Sequence, residues 1–532
     1  MNMIPTDAGS QSLDSATPRA NRAPRWLWVT SLMVVAVVVA PLAYIIIEVA
    51  RQPSWSLIWS GRTAELLFNT TVLVAAVTLT ATAIGVGAAW AVTRVTLPMP
   101  ALWTSVLALP LVIPSYVAAL AYLAASGPNG MFAQLWSWPV PRLEGLLGSW
   151  LALSLTTYPY VFLVSVIALR RMDPSLEEVA RSLGKSPLRG FFLVVVGQLR
   201  PAIGASGLLV ALYTLSDFGA VSLMRYDTFT KAIYAQWAVR IDRTPALTLA
   251  VVLILLAAAI LWIEQRTRGR AEYFTNRPSR PPTRTRLGRS ATWAVEGALG
   301  ALVVLALVVP ISVLIFWLVR GLANDQTLAN VGLAGLRSVT VSGAAALAAA
   351  VAAIPVAVLF VRFPSRASRL MERGIWAVYA LPHITVGVAI LFFTVTLVRP
   401  IYQSLLVLIA AYVVLFLPQA SGAVETALRQ IDPHIEEAGR SLGVGQMGSF
   451  LRLTVPLIGR GIASGGALVF LTVMKELPAT LLLRPTGYDT LALAIWQQAN
   501  EGLYTRASSS ALVLLAISAV PMFLIATRTI RS

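Results

Sequence analysis

Apolar residues run through this chain in long unbroken blocks, parted by short polar stretches. Twelve blocks stand out, with approximate limits 27–49, 66–91, 101–124, 148–169, 202–224, 245–263, 295–319, 337–361, 374–397, 402–424, 461–483 and 508–527. A helix rises about 1.5 Å per residue, so roughly 20 residues cross a hydrocarbon core of about 30 Å, and each block is long enough. Barrel strands would instead give short segments alternating with a period of two, which excludes a β-barrel. The pattern predicts an all-α polytopic membrane protein with twelve transmembrane helices.

Composition agrees. Of 532 residues, 57% are apolar and only 12% charged, with a mean hydropathy of +0.75, far from the balance of a water-soluble domain. The net charge of +18 raises the question of nucleic acid, but its placement answers differently. Arg19, Arg22 and Arg25 precede the first block, and eight arginines from Arg266 to Arg289 crowd the stretch between the sixth and seventh. With an even number of spans these sites fall on one side, which the positive-inside rule assigns to the cytoplasm, with both termini. The charge reads as topology in a lipid bilayer, and no nucleic-acid partner is expected. Residues 1–25 read as a polar cytoplasmic tail ahead of an uncleaved first helix. With no cysteine, thiol catalysis and thiolate metal sites are excluded.

The chain also repeats itself. From Leu169 to Gly184 against Leu428 to Gly443, ten of sixteen positions are identical. Outward from this match, "IPSY" at Ile113 corresponds to "LPHI" at Leu381, "SDFGAVSLMR" (216–225) to "KELPATLLLR" (475–484), and "YDTFTKAIYAQ" (226–236) to "YDTLALAIWQQ" (488–498). Two six-span units, 26–263 and 295–532, joined by an Arg-rich linker at 264–294, account for the pattern. An even span count makes them parallel repeats, with a pathway between them.

Each unit carries its repeated segment in a cytoplasmic loop, at 170–200 and 429–460. Pro174 and Pro433 suit a first helical turn, the Glu pairs that follow favour a helix N-terminus, and Gly184 and Gly443 end or bend a short helix. A mere interfacial connector gives no reason for duplicating both the acidic pair and the glycine. An element docking into a cleft on a separate soluble subunit does. "SLGKS" (182–186) is not a phosphate loop: the G-x-x-x-x-G-K-[ST] pattern requires glycine where Val179 stands, and no strand precedes it.

These loops resemble the coupling loop of the membrane subunits of binding-protein-dependent ABC importers, marked by Glu-Ala-Ala, a glycine a few residues on and a later apolar-Pro step. Glu177, Glu178, Ala180 and Gly184 match in the first copy, and Glu436, Glu437, Ala438, Gly443 and Pro456 in the second. The first copy departs at Val179 and at Gly197, which stands where Pro456 stands. The resemblance covers the chain from about residue 26. It implies a non-enzymatic permease subunit in a bacterial inner membrane, two cytoplasmic ATPase subunits seated on the two loops, ATP consumed by those partners alone, no permanently bound cofactor, and alternating access.

For the cargo, polar groups at membrane depth are the guide. Asp217 and Glu476 occupy matching positions. They are either solvated helix ends pairing with Arg225 and Arg484, or part of an oxygen-rich route with Tyr226, Asp227, Tyr488 and Asp489 at its outer mouth, which would suit a hard cation in transit. His383 and His434 belong to no ligand cluster and read as packing or hydrogen-bonding residues. The stretches "LSDFGAVSLMRYDTFTKAIYAQW" and "MKELPATLLLRPTGYDTLA" are similar to the ferric iron branch of these importers, which implies an extracytoplasmic binding protein delivering Fe(III). Thiamine or another small solute is the alternative cargo. A twelve-span secondary transporter would leave the duplicated loops unexplained.

Overall fold

The computed structural model describes residues 23–52, 54–138, 140–172, 182–184, 195–239, 244–267, 284, 286–324, 330–432 and 434–531, with the side chains of 239, 265, 267, 436–438, 440, 446 and 520–531 excepted. The described chain is helical: α1 Arg25–Arg51, α2 Gly61–Arg94, α3 Pro100–Ala108, α4 Ser115–Ala125, α5 Gly145–Arg171, α6 Val196–Ser216, α7 Gly219–Leu223, α8 Phe229–Val239 and α9 Thr244–Thr267 in the first half. The second half has α10 Arg289–Ala323, α11 Val331–Arg362, α12 Arg366–Tyr379, α13 His383–Leu397, α14 Leu405–Arg429, α15 His434–Ser441, α16 Met447–Leu457, α17 Gly459–Met474, α18 Pro478–Leu483, α19 Leu491–Asn500 and α20 Tyr504–Arg531.

Twelve uninterrupted spans are not what forms. Among the described residues eight helices are long and apolar enough to cross a membrane, or up to eleven if each of three bent pairs is one span. The expected spans 101–124 and 374–397 are two of those pairs, bent by 90° at Pro114 and 108° at Pro382; the third, bent by 63° at Ile458, starts ahead of the expected span 461–483, which itself divides between α17 and α18. The block at 202–224 also divides, between α6 and α7. Hydropathy measures apolar length and is blind to continuity. Proline, by contrast, lacks an N–H and pushes its predecessor into extended conformation. Ile113, with φ −82° and ψ 114°, shows this just before Pro114.

The inner bundle of the first half is α2, α5 and α6, and that of the second is α11, α14 and α17. Small residues bring the helices together, as expected where lipid removes the hydrophobic drive between them. A Cβ on Gly85 would lie 2.7 Å from Val161 Cβ and 2.9 Å from the Tyr158 carbonyl oxygen, so α2 and α5 touch backbone to backbone there. Pro159 in α5 and Pro418 in α14 sit at corresponding positions inside their helices. The outer helices are exchanged: α1 and α9 pack on α13 of the second half, and α10 and α20 on α4 of the first. A core of buried residues from both halves follows, with Leu27, Ile45, Leu253, Val356 and Leu417 in one cluster.

Candidate transport pathway and coupling surface

Two pairs of broken spans meet where they break. In the first half, α4 begins with Ser115 after Pro114, and Asp217 lies in the interruption between α6 and α7. The Ser115 hydroxyl donates to Asp217 Oδ2. Asp217 Oδ1 accepts the N–H groups of Ala220 (2.9 Å) and Val221 (3.3 Å), and its carbonyl accepts from Thr230 Oγ1 at 2.7 Å. The second half repeats this arrangement. His383 opens α13 after Pro382, and its Nδ1 is 2.8 Å from Glu476 Oε2. Glu476 Oε1 accepts the Ala479 N–H at 3.1 Å, and its carbonyl accepts from Thr480 Oγ1 at 2.6 Å.

Asp217 and Glu476 are 9% and 5% exposed, too enclosed to be solvated helix ends. Neither takes the arginine offered by the sequence: Arg225 approaches Glu144 at 3.8 Å, and Arg484 pairs with Asp489. Each carboxylate instead satisfies the start of the short helix that follows it, as a buried donor requires. The two crossings sit against the boundary between halves. Lys475 Nζ donates across it to the Leu111 carbonyl oxygen (3.3 Å), and a Cβ on Gly219 would meet both Tyr116 and the second half's Leu477. Phe218, tilted, and Tyr234, edge-on, each pack on Trp496 with ring centroids 5.6 Å apart.

The repeated Tyr-Asp-Thr stretches form a second matched layer. Tyr226 Oη donates to the Asn69 carbonyl (3.2 Å) and Tyr488 Oη to that of Arg337 (3.0 Å). Three residues further on, the Phe229 and Leu491 N–H groups donate to Thr70 Oγ1 (3.2 Å) and Ser338 Oγ (2.8 Å). Asp227 takes Arg62 at 2.6 Å and Lys231 at 2.7 Å, and Asp489 takes Arg484. Partial burial pushes the Asp227 carboxyl up, and the hydrogen bonds from Lys231 and Arg62 outweigh it, holding it below the ordinary carboxylate range. Each of the four acids therefore has its own internal partners. Among the described residues no three His, Cys, Asp or Glu side chains assemble as a metal site.

At the repeated loops, Gly184 and Gly443 both adopt left-handed backbone, with φ of +74° and +80°. In the second loop Gly443 lies two residues past the end of α15, and the Val444 N–H reaches back to the Gly439 carbonyl at 3.1 Å, the Schellman closure that favours glycine. Asp432 Oδ1 accepts the His434 N–H at the start of α15 (3.0 Å). The residue before each glycine projects outward: Leu183 is 71% and Leu442 84% exposed. Pro456 lies within α16, just before its bend into α17. Glu177, Glu178 and Ala180 lie outside the described residues. Glu436, Glu437 and Ala438 fall within α15, their side chains outside the description.

Residues 344–529 match the family model of the binding-protein-dependent transport system inner membrane component. The Fe(3+)-transport system permease protein FbpB 2 of Haemophilus influenzae is 32% identical over 513 residues, covering 95% of this chain and 98% of that protein. The chain belongs to the binding-protein-dependent permease family. Shorter members align with part of it. The sulfate transport system permease protein CysT of Salmonella typhimurium is 30% identical over 36% of this chain and 71% of its own length, and the molybdenum transport system permease protein ModB of Escherichia coli K12 is 31% identical over 35% and 87%. As an inner membrane component, the permease is a transport subunit and not an enzyme. Of the side chains that meet the two acids, Ser115 was not singled out by sequence, and His383 was read only as a packing or hydrogen-bonding residue, without its partner. The alignment of "IPSY" with "LPHI" did hold the signal, since it sets two polar residues opposite each other beside matched prolines.

Proposed function

We propose that this permease carries ferric iron, handed over by an extracytoplasmic binding protein, into the cytoplasm of a bacterial cell by ATP-driven alternating access. The near full-length identity to a Fe(3+)-transport permease is the observation that supports this cargo most. The units are taken as 26–263 and 295–532, with the tail 1–25 and the linker 264–294 cytoplasmic. Two cytoplasmic ATPase subunits would seat on the loops 170–200 and 429–460, through Glu177, Glu178, Ala180 and Gly184 on one and Glu436, Glu437, Ala438, Gly443 and Pro456 on the other. The exposed Leu183 and Leu442, each beside a left-handed glycine, support a docking role, because an apolar side chain in water favours a cover. The route is taken to run between the halves, past the crossings of Asp217 and Glu476, with Tyr226, Asp227, Tyr488 and Asp489 toward its outer end. Interrupted helices meeting at a repeat boundary are where transporters place substrate sites, which favours this course.

The test is uptake of radiolabelled Fe(III) by cells lacking their own ferric importer that express this permease with its ATPase and binding protein. A Glu436/Gly443 double substitution and labelled thiamine are run in parallel. ATP-dependent iron uptake that vanishes in the substituted permease is the expected outcome. Thiamine uptake in its place would overturn the cargo and leave the importer.

A further inference from the structure

The two crossings correspond in position but differ in chemistry. Asp217 is held by a neutral hydroxyl, whereas Glu476 is held by an imidazole 2.8 Å away. His383 Nδ1 and Glu476 Oε2 share one hydrogen bond. The His383 ring stands edge-on to Phe416 of α14, centroids 5.4 Å apart, and the other Glu476 oxygen is already taken by the Ala479 N–H. Lys475, the preceding residue in sequence, reaches away to Leu111. Both oxygens of Glu476 are thus occupied from within the protein, and a cation arriving at Oε2 has to displace the imidazole. The outcome of that exchange depends on charge density. A singly or doubly charged ion gains less from one carboxylate oxygen than a hard trivalent ion does, so an internal partner selects by a difference of affinities and not by fit.

We propose that His383 is a positioning residue that sets the cation selectivity of the second crossing, holding Glu476 until a hard, highly charged cation displaces it. This rests on the reading of ferric iron as cargo. The Ser115–Asp217 crossing, with its neutral donor, is the more permissive of the two.

The test uses Tb3+, a hard trivalent ion excited through nearby aromatic rings, titrated into the assembled importer in nanodiscs with Ca2+ as divalent competitor. In the unmodified importer Tb3+ luminescence should resist Ca2+, and Glu476→Gln should abolish it. Removing that hydrogen bond with His383→Ala should lower the preference for Tb3+ over Ca2+ about tenfold. His383→Asn, which offers a hydrogen-bonding amide in place of the imidazole, should restore it. Luminescence that survives Glu476→Gln, loss of Tb3+ binding in His383→Ala, or unchanged discrimination in that variant would each overturn the proposal. Radiolabelled iron uptake by the unmodified importer is measured alongside. Its absence would remove the cargo reading itself, whereas uptake with unchanged discrimination in His383→Ala removes only the role of His383.

Discussion

Replacing Asp217 separates the two things its carboxylate does. Asp217→Ala leaves the Ala220 and Val221 N–H groups without an acceptor, in a place where both residues are 0% exposed. A buried donor left unmet costs about 1–3 kcal/mol, so the two together amount to about 2–6 kcal/mol, before the loss of the Ser115 contact. Asp217→Asn keeps an oxygen in the Oδ1 position and should recover more than half of that loss, while removing the charge. Thermal unfolding of the purified permease in detergent is the assay for the first effect and iron uptake for the second. The expected order of stability is unmodified, Asn, then Ala, with both variants deficient in uptake. An Asn variant as unstable as Ala would refute the capping role, and an Asn variant transporting like the unmodified permease would exclude the charge from the route.

Gly443→Val forces a β-branched residue into left-handed backbone at φ +80°, a penalty of about 1–2 kcal/mol from the Cβ alone. It should abolish ATPase stimulation by the loaded binding protein while the complex still assembles, and unchanged stimulation in proteoliposomes would exclude coupling through this loop. Gly85→Leu places a side chain where a Cβ already lies 2.7 Å from Val161 Cβ; the permease should fail to accumulate in membranes, read by fluorescence size-exclusion chromatography. Asp227 supplies a pH dependence. Its folded pKa is lowered, so its contribution is complete above the ordinary carboxylate value of about 3.9 and is lost as pH falls through the folded value. The melting-temperature gap between the unmodified permease and Asp227→Asn should be constant from about pH 7 to 5 and close below about pH 4; a gap already closing near neutrality would sink this reading.

The repeat was readable because its evidence is identity, ten positions in sixteen, and identity survives without knowing the fold. Helix content was readable because twenty apolar residues in lipid have few other ways to satisfy their backbone. The bends at Pro114 and Pro382 were written in the sequence but not legible in hydropathy, which scores a straight and a broken span alike. Asp217 and Glu476 stood out as acids in apolar surroundings. Their partners did not, because Ser115 and His383 lie about a hundred residues earlier and only the crossing of two breaks joins them. The tyrosines and aspartates expected at an outer mouth were identified as a motif, yet their internal bonds to Asn69, Arg337, Arg62 and Arg484 depend on helix register that no local pattern encodes.

The exchange of outer helices bears on how the molecule is made. α1 ends at Arg51 and packs on α11, α12 and α13, the first of which begins at Val331, roughly 280 residues later (331 − 51). At about 5–20 residues per second of synthesis, α1 waits about 15–60 s in the bilayer before its partners are translated. During that interval α9, which α1 also touches, becomes available from its own half, while the rest of its inward face has only lipid or a membrane chaperone to lie against. Joining both halves in one polypeptide turns the search for a missing partner into a timed arrival, with each early helix held near the place where its late neighbours will emerge.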